Sequence, residues 1–225
     1  MIPLRDENPV SSVPVVTWAL VVACILTFLW QVSFGAPHFN RVIFSLGVIP
    51  AVLFGHAQLA PEVAMVPPAA TVVTSMFLHG GWLHLAGNML YLWIFGDNIE
   101  DRMGKIRFPV FYLACGVAAV FAQSLPAPEA QVPMVGASGA ISGVLGAYLL
   151  MFPRARVLVL VPFGFILQAI RLPAVWVLGL WFAIQLVSSL MTPAGEGGVA
   201  FRAHLGGFVA GLALTPLFLL GRRAR

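Results

Sequence analysis

The run Val135–Gly136–Ala137–Ser138–Gly139–Ala140–Ile141–Ser142–Gly143 places a serine between small residues at the start of an apolar segment. Further along, Ala203–His204–Leu205–Gly206–Gly207 starts another apolar segment with a histidine. Polar side chains inside a membrane are costly, and each marks a functional site by default. A serine hydroxyl becomes a useful nucleophile when a base takes its proton, and histidine is the usual base near neutral pH. Acyl transfer is the chemistry such a pair would serve. Gly136 and Gly139 leave the backbone around Ser138 free to turn tightly. If Ser138 begins a helix, the amides there point outward and can stabilise a negative oxygen. A structural reading stands beside this one, with Gly139 and Gly143 as a small-residue packing face and Ser138 bonded to backbone.

His204 is followed at helical spacing by Gly207 and Gly211, a GxxxG pair that lets another helix approach just below the imidazole. Gly139 and Gly143 offer the matching small face below Ser138, which predicts contact between the two segments. A histidine satisfied by a buried carbonyl is the structural alternative. His79–Gly80–Gly81–Trp82–Leu83–His84–Leu85–Ala86–Gly87–Asn88 adds His84 and Asn88, four apart on one helix face. Two neutral donors there would suit an oxyanion, whereas His79 reads better as a residue tying loops together. A metal would need a different pattern: His79 and His84 are five apart, and no Asp, Glu or Cys cluster joins them. None of the predicted spans contains an aspartate or glutamate, so a Ser–His dyad is expected, with no third carboxylate and no metal.

These residues have to be positioned by helices in lipid. Of the 225 residues, 60% are hydrophobic and 9% charged, and the mean hydropathy is +0.96. A soluble domain carries about 25% charged residues, so the chain is read as an integral membrane protein. Its net charge of +4 comes without a basic stripe interleaved with aromatics, and no nucleic-acid partner is expected. Cys24 and Cys115 sit in apolar runs and read as small core residues. The first apolar run lacks the short core and cleavage site of a signal peptide.

Six spans are predicted, at about 14–34, 80–96, 108–125, 138–152, 172–191 and 204–221. The runs 43–55 and 157–170, each with an internal proline, read as interfacial or re-entrant pieces. With six crossings, ten of the twelve basic residues fall on one side and only Arg41 and Arg202 on the other. That bias places both termini in the cytoplasm. The expected organisation is a short cytoplasmic segment over 1–13, an all-α membrane domain over 14–221 and a basic cytoplasmic tail over 222–225. Helix rise then puts Ser138, His84 and His204 at one depth, in the outer half of the bilayer. Asp97, Glu100 and Asp101 are expected on the cytoplasmic side, paired with Arg102, Lys105 and Arg107.

The motifs resemble those of the rhomboid family of intramembrane serine proteases, in particular its bacterial members. Gly136–Ala137–Ser138–Gly139 is similar to the family's nucleophile motif, His84 through Asn88 to its second-span motif, and Ala203 through Gly211 to its sixth-span motif. The stretch Phe77–Gly104 adds to the likeness, which covers roughly residues 70–221. The resemblance implies a six-helix rhomboid-like bundle with Ser138 as nucleophile and His204 as general base and acid. It further implies that His84, Asn88 and the Ser138 amide, within the Gly136–Ala137 turn, bind the oxyanion and substrate. Substrates would be transmembrane or membrane-anchored proteins in the bilayer, cut near the outer face without a cofactor, in a bacterial inner membrane. In this family the fifth span and the loop after it, here the glycine-rich 192–198, move to admit substrate. Two features depart from the pattern. Ser142 stands where some relatives carry a tyrosine that packs on the histidine, and the first external loop lacks the Trp-Arg pair of some members.

Two other functions compete. A non-proteolytic rhomboid-like protein would bind membrane helices without cutting them. A transporter using histidines as a proton relay would be expected to show intramembrane carboxylates and repeat symmetry, and the chain has neither.

Overall fold

In lipid, a continuous apolar run can satisfy its backbone only as a helix, and Val15–Val32 forms such a helix, α1. A computed structural model of the chain describes residues 1–164 and 166–221; the expected basic tail, 222–225, lies outside the described residues. Before α1, Ile2–Asp6 is a strand, β1. After it come α2 (Gly35–Leu46), the single turn α3 (Pro50–Leu53), α4 (Pro68–Thr74) and a 3-10 turn at Ser75–Phe77. Then follow α5 (Trp82–Met103), α6 (Arg107–Ser124) and α7 (Ser138–Met151). Strands β2 (Arg156–Phe163) and β3 (Ile166–Pro173) lead into α8 (Ala174–Met191) and α9 (Phe201–Leu219).

The expected six-span bundle with both termini cytoplasmic does not stand. Among the described residues, four helices are long and apolar enough to cross a membrane: α1, α6, α8 and α9. The predicted second span is part of α5, whose 22 residues run on through Asp97, Glu100, Asp101 and Arg102. The predicted fourth span is α7, and its 14 residues reach about 21 Å, short of a hydrocarbon layer roughly 30 Å thick. The charge count that placed both termini in the cytoplasm rested on six crossings and falls with them. What stands is a helical, integral, multi-pass membrane protein with nine α-helices and a small sheet among the described residues.

That sheet is also new. The run 157–170 is a β-hairpin, in which β2 pairs antiparallel with β3 along its full length and with β1 on its other edge. The run 43–55 folds as the end of α2 and the turn α3.

Longer-range bonds engage several of the charged groups near the end of α5 and in β1. The buried Glu100 carboxylate accepts from the Val16 and Thr17 amides at 3.0 and 2.7 Å and from the Thr17 hydroxyl at 2.8 Å. It thus caps the positive end of α1. Asp101 accepts from the Ser11 and Ser12 hydroxyls at 3.0 and 2.6 Å. Arg107 donates to the Phe218 and Leu220 carbonyls, both at 2.9 Å, at the end of α9. Asp6 accepts from the Tyr148 hydroxyl at 2.6 Å, fixing β1 to the last part of α7.

At the centre, α7 and α9 meet backbone to backbone. A Cβ on Gly207 would strike the Gly139 carbonyl, and one on Gly211 the Gly143 carbonyl. On the flank formed by α6, Gly143 lies against Cys115 and Gly206 against Ala122. Cys24 and Cys115 are both free and buried.

Candidate active site

A cavity of about 610 Å³ lies at the end of the bundle where α7 and α9 begin, and Ser138, His204, His84, Asn88 and Trp181 all line it. The glycine seam draws the first turns of α7 and α9 together. As a result, the Ser138 Oγ lies 2.8 Å from the His204 Nε2. On its far side, the His204 Nδ1 lies 2.7 Å from the Gln185 Oε1 of α8. An amide oxygen can only accept, so Nδ1 carries the ring proton and donates it to Gln185. This leaves Nε2 with a free lone pair to accept from the Ser138 hydroxyl, the tautomer a general base requires.

Gln185 and Trp181 were not foreseen from the sequence, and both act on His204. Trp181 lies one helical turn before Gln185, and its ring is 5.9 Å from the imidazole, tilted by 35°. An aromatic ring thus lies against the imidazole from α8. Ser142 faces elsewhere: its hydroxyl donates to the Ser138 carbonyl at 2.6 Å.

The candidate oxyanion donors converge from α5 and the turn before α7. The His84 Nδ1 accepts from the Gly80 amide at 3.2 Å, which puts the ring proton on Nε2. That edge faces Gly136: a Cβ there would lie 2.8 Å from Nε2 and 3.6 Å from the Ser138 Oγ. Gly136 also has φ +131, a conformation that side-chain-bearing residues rarely adopt. Its amide is held by the Ser75 carbonyl at 2.9 Å. Ala137 is the buried N-cap of α7 and delivers Ser138 as the first helical residue, whose amide has no acceptor within the helix. The Asn88 Nδ2 is buried with no hydrogen-bond partner among the described residues. An orphaned buried donor is uncommon in folded proteins, and one beside a cavity is available to a ligand.

His79 stands apart from this group. Its backbone is clasped by Gln31 of α1, whose Oε1 accepts from the His79 amide at 3.0 Å and whose Nε2 donates to its carbonyl at 3.3 Å. That bond anchors the turn leading into α5. The cavity is roofed in part by Gly195, Glu196 and Gly198 of the glycine-rich loop. Arg202 donates to the Ser189 and Thr192 carbonyls at 3.2 and 3.0 Å, tying the end of α8 to the start of α9.

Fold and cavity together define a multi-pass membrane protein with a serine–histidine pair recessed at one end of its helices. Residues 68–221 match the model of the rhomboid domain, and the chain belongs to the rhomboid family. It is 31% identical over 182 residues to Rhomboid protein 1, mitochondrial, of Saccharomyces cerevisiae, covering 77% of this chain and 49% of that protein. Against Rhomboid protease GluP of Bacillus subtilis it is 36% identical over 143 residues, 64% of this chain and 25% of the relative. Rhomboid-like protein 11, chloroplastic, of Arabidopsis thaliana is 32% identical over 149 residues, 64% of this chain and 51% of the relative. The chain thus spans between a quarter and about half of the length of these relatives. Bacterial, mitochondrial and chloroplast proteins are all among them, so the likeness singles out no compartment.

Proposed function

We propose that the protein is an intramembrane serine endopeptidase that cleaves membrane-embedded protein substrates in the cavity above Ser138. The observation that carries this reading is the relay Ser138 Oγ, His204 Nε2, His204 Nδ1, Gln185 Oε1, with contacts of 2.8 and 2.7 Å at its two ends. His204 takes the Ser138 proton as the hydroxyl oxygen bonds to the scissile carbonyl carbon, and the carbonyl oxygen gains the negative charge. The Ser138 amide, the His84 Nε2–H and the Asn88 amide group donate to that oxygen. Imidazolium then protonates the departing amine, the C–N bond breaks and an acyl-serine remains. Water, deprotonated by the same imidazole, hydrolyses the ester and restores the enzyme. A helical substrate hides its carbonyls in internal bonds, so residues that weaken helices near the cut favour cleavage.

The test is to incubate the purified protein in liposomes with a model transmembrane substrate and a fluorophosphonate. The expected result is covalent labelling and cleavage, both lost in Ser138→Ala. His204→Ala should slow cleavage by roughly 10⁴-fold or more. Cleavage that survives in Ser138→Ala removes the nucleophile. Binding of the substrate helix without cleavage or labelling would make the protein a non-proteolytic binder of membrane helices.

A further inference from the structure

Two sides of the β2–β3 hairpin can be followed from base to tip. Directly opposed residues in an antiparallel pair point to the same side of the sheet. One side therefore carries the pairs Val157–Leu172, Val159–Ile170, Val161–Gln168 and Phe163–Ile166. At the base, Val157 and Val159 are fully buried and belong to the same core as the helices. Along the same side exposure rises toward the tip, where Phe163 and Ile166 are 76% and 71% exposed. The side that packs on the helices thus continues beyond them as an apolar overhang.

Its position follows from its tethers. The Ala174 amide donates to the Ala155 carbonyl at 2.8 Å and the Val175 amide to the Pro153 carbonyl at 3.0 Å. These bonds fix the hairpin base to the first turn of α8, a helix of membrane-crossing length. Trp176, exposed in that turn, has the character of a residue at a membrane–water boundary. A surface that rests on the end of membrane helices faces the bilayer wherever it extends past them. On the opposite side of the sheet, Arg5 and Arg171 lie across from Leu158. Both are exposed, and Arg171 forms an ion pair with Glu7 at 2.5 Å.

We propose that the hairpin tip rests on the phospholipid bilayer, with Phe163 and Ile166 in the lipid and the arginine-bearing side in water. Depth is limited by the backbone. The sheet order is β1-β2-β3, so β3 is an edge strand with unpaired amides and carbonyls. Such groups are tolerated among headgroups and water but not in the hydrocarbon core. The hairpin is an interfacial foot, and it does not cross the membrane.

Spin labelling tests this in the full chain, reconstituted in vesicles of phosphatidylcholine and phosphatidylglycerol. Cys24 and Cys115 are both 0% exposed, so a nitroxide attaches at introduced thiols. Phe163→Cys, Ile166→Cys and, on the opposite side, Ala169→Cys are each labelled, and collisions with lipid-soluble oxygen and a water-soluble nickel chelate are compared. Oxygen should dominate at 163 and 166 and the chelate at 169, reversing the sign of the depth parameter within one hairpin. Chelate-dominated collisions at 163 and 166 would overturn the proposal. So would low collision rates with both reagents there, the result expected if a second copy of the chain covered the tip.

Discussion

At the Ser138 end of the bundle, the buried Asn88 Nδ2 has no hydrogen-bond partner among the described residues. At the opposite end, the carboxylates of Glu100, Asp101 and Asp6 are all engaged, Glu100 by three donors at once. Both ends place polar groups in or near lipid, where an unmet hydrogen bond is expensive. The difference separates two uses of polarity. The bonded carboxylates hold segments of the fold together, and the unbonded Asn88 donor beside the cavity is available to a ligand.

The largest effect comes from disturbing the glycine seam, which sets the approach of α7 to α9 and with it the Ser138–His204 contact. Gly207→Val drives a side chain into the Gly139 carbonyl. It should cost about 3 kcal/mol or more and abolish cleavage, measured by thermal unfolding in detergent and by substrate assay. The two ends should then part company. Asn88→Ala should lower kcat by about 100-fold with little change in melting temperature, since its Nδ2 makes no hydrogen bond among the described residues. Glu100→Ala should do the reverse, removing about 2–3 kcal/mol of stability while the folded fraction keeps its kcat. If both variants lose stability and activity alike, the division between the ends is wrong.

Gln185 sharpens the comparison within the site. Gln185→Leu removes the acceptor for Nδ1 and should slow cleavage by about 100-fold, whereas Gln185→Glu keeps an acceptor there and should retain most of the rate. Nitrogen NMR of His204 separates tautomer control from mere packing. The proton should sit on Nδ1 in the parent and in Gln185→Glu, and it should lose that preference in Gln185→Leu.

The smallest effect belongs to Asp6, outside the membrane helices. Burial, opposed by the Tyr148 hydroxyl, lifts its carboxyl above the ordinary 3.8. A raised acid favours the folded form fully below its unfolded value, and that contribution is lost as pH rises through the lifted one. Asp6→Asn should therefore slightly raise the neutral-pH melting temperature and flatten its fall as pH climbs from the ordinary carboxylate value through the lifted one. A lower melting temperature at neutral pH would show that the Tyr148 bond outweighs burial.

Much of the site could be read from spacing alone. Ser138 and His204 each opened an apolar run above small residues, and the matched glycines predicted that those runs touch, as they do. Gln185 escaped notice because one glutamine in an apolar stretch has no partner in the sequence. Its only signal was the four-residue step from Trp181 to Gln185 to Ser189, a polar stripe on one face. The hairpin was hidden because both sides of β2 are apolar, so the alternation that marks a strand is missing. Pro162 looked like a break, and the tight turn at Gly164, with φ +59, was not recognised. The length of α5 was missed for the opposite reason. Its charges read as the end of a span, yet Glu100 and Asp101 stay helical because other segments bring donors to them.

Where main chain lies directly on main chain, no rotamer can relax. The spacing of hydroxyl and imidazole is inherited from peptide geometry, and ordinary drift among the bulky residues around the seam leaves it untouched. One added methyl group at Gly207 or Gly211 has no such freedom, because it meets the carbonyl of Gly139 or Gly143 with nothing that can turn aside.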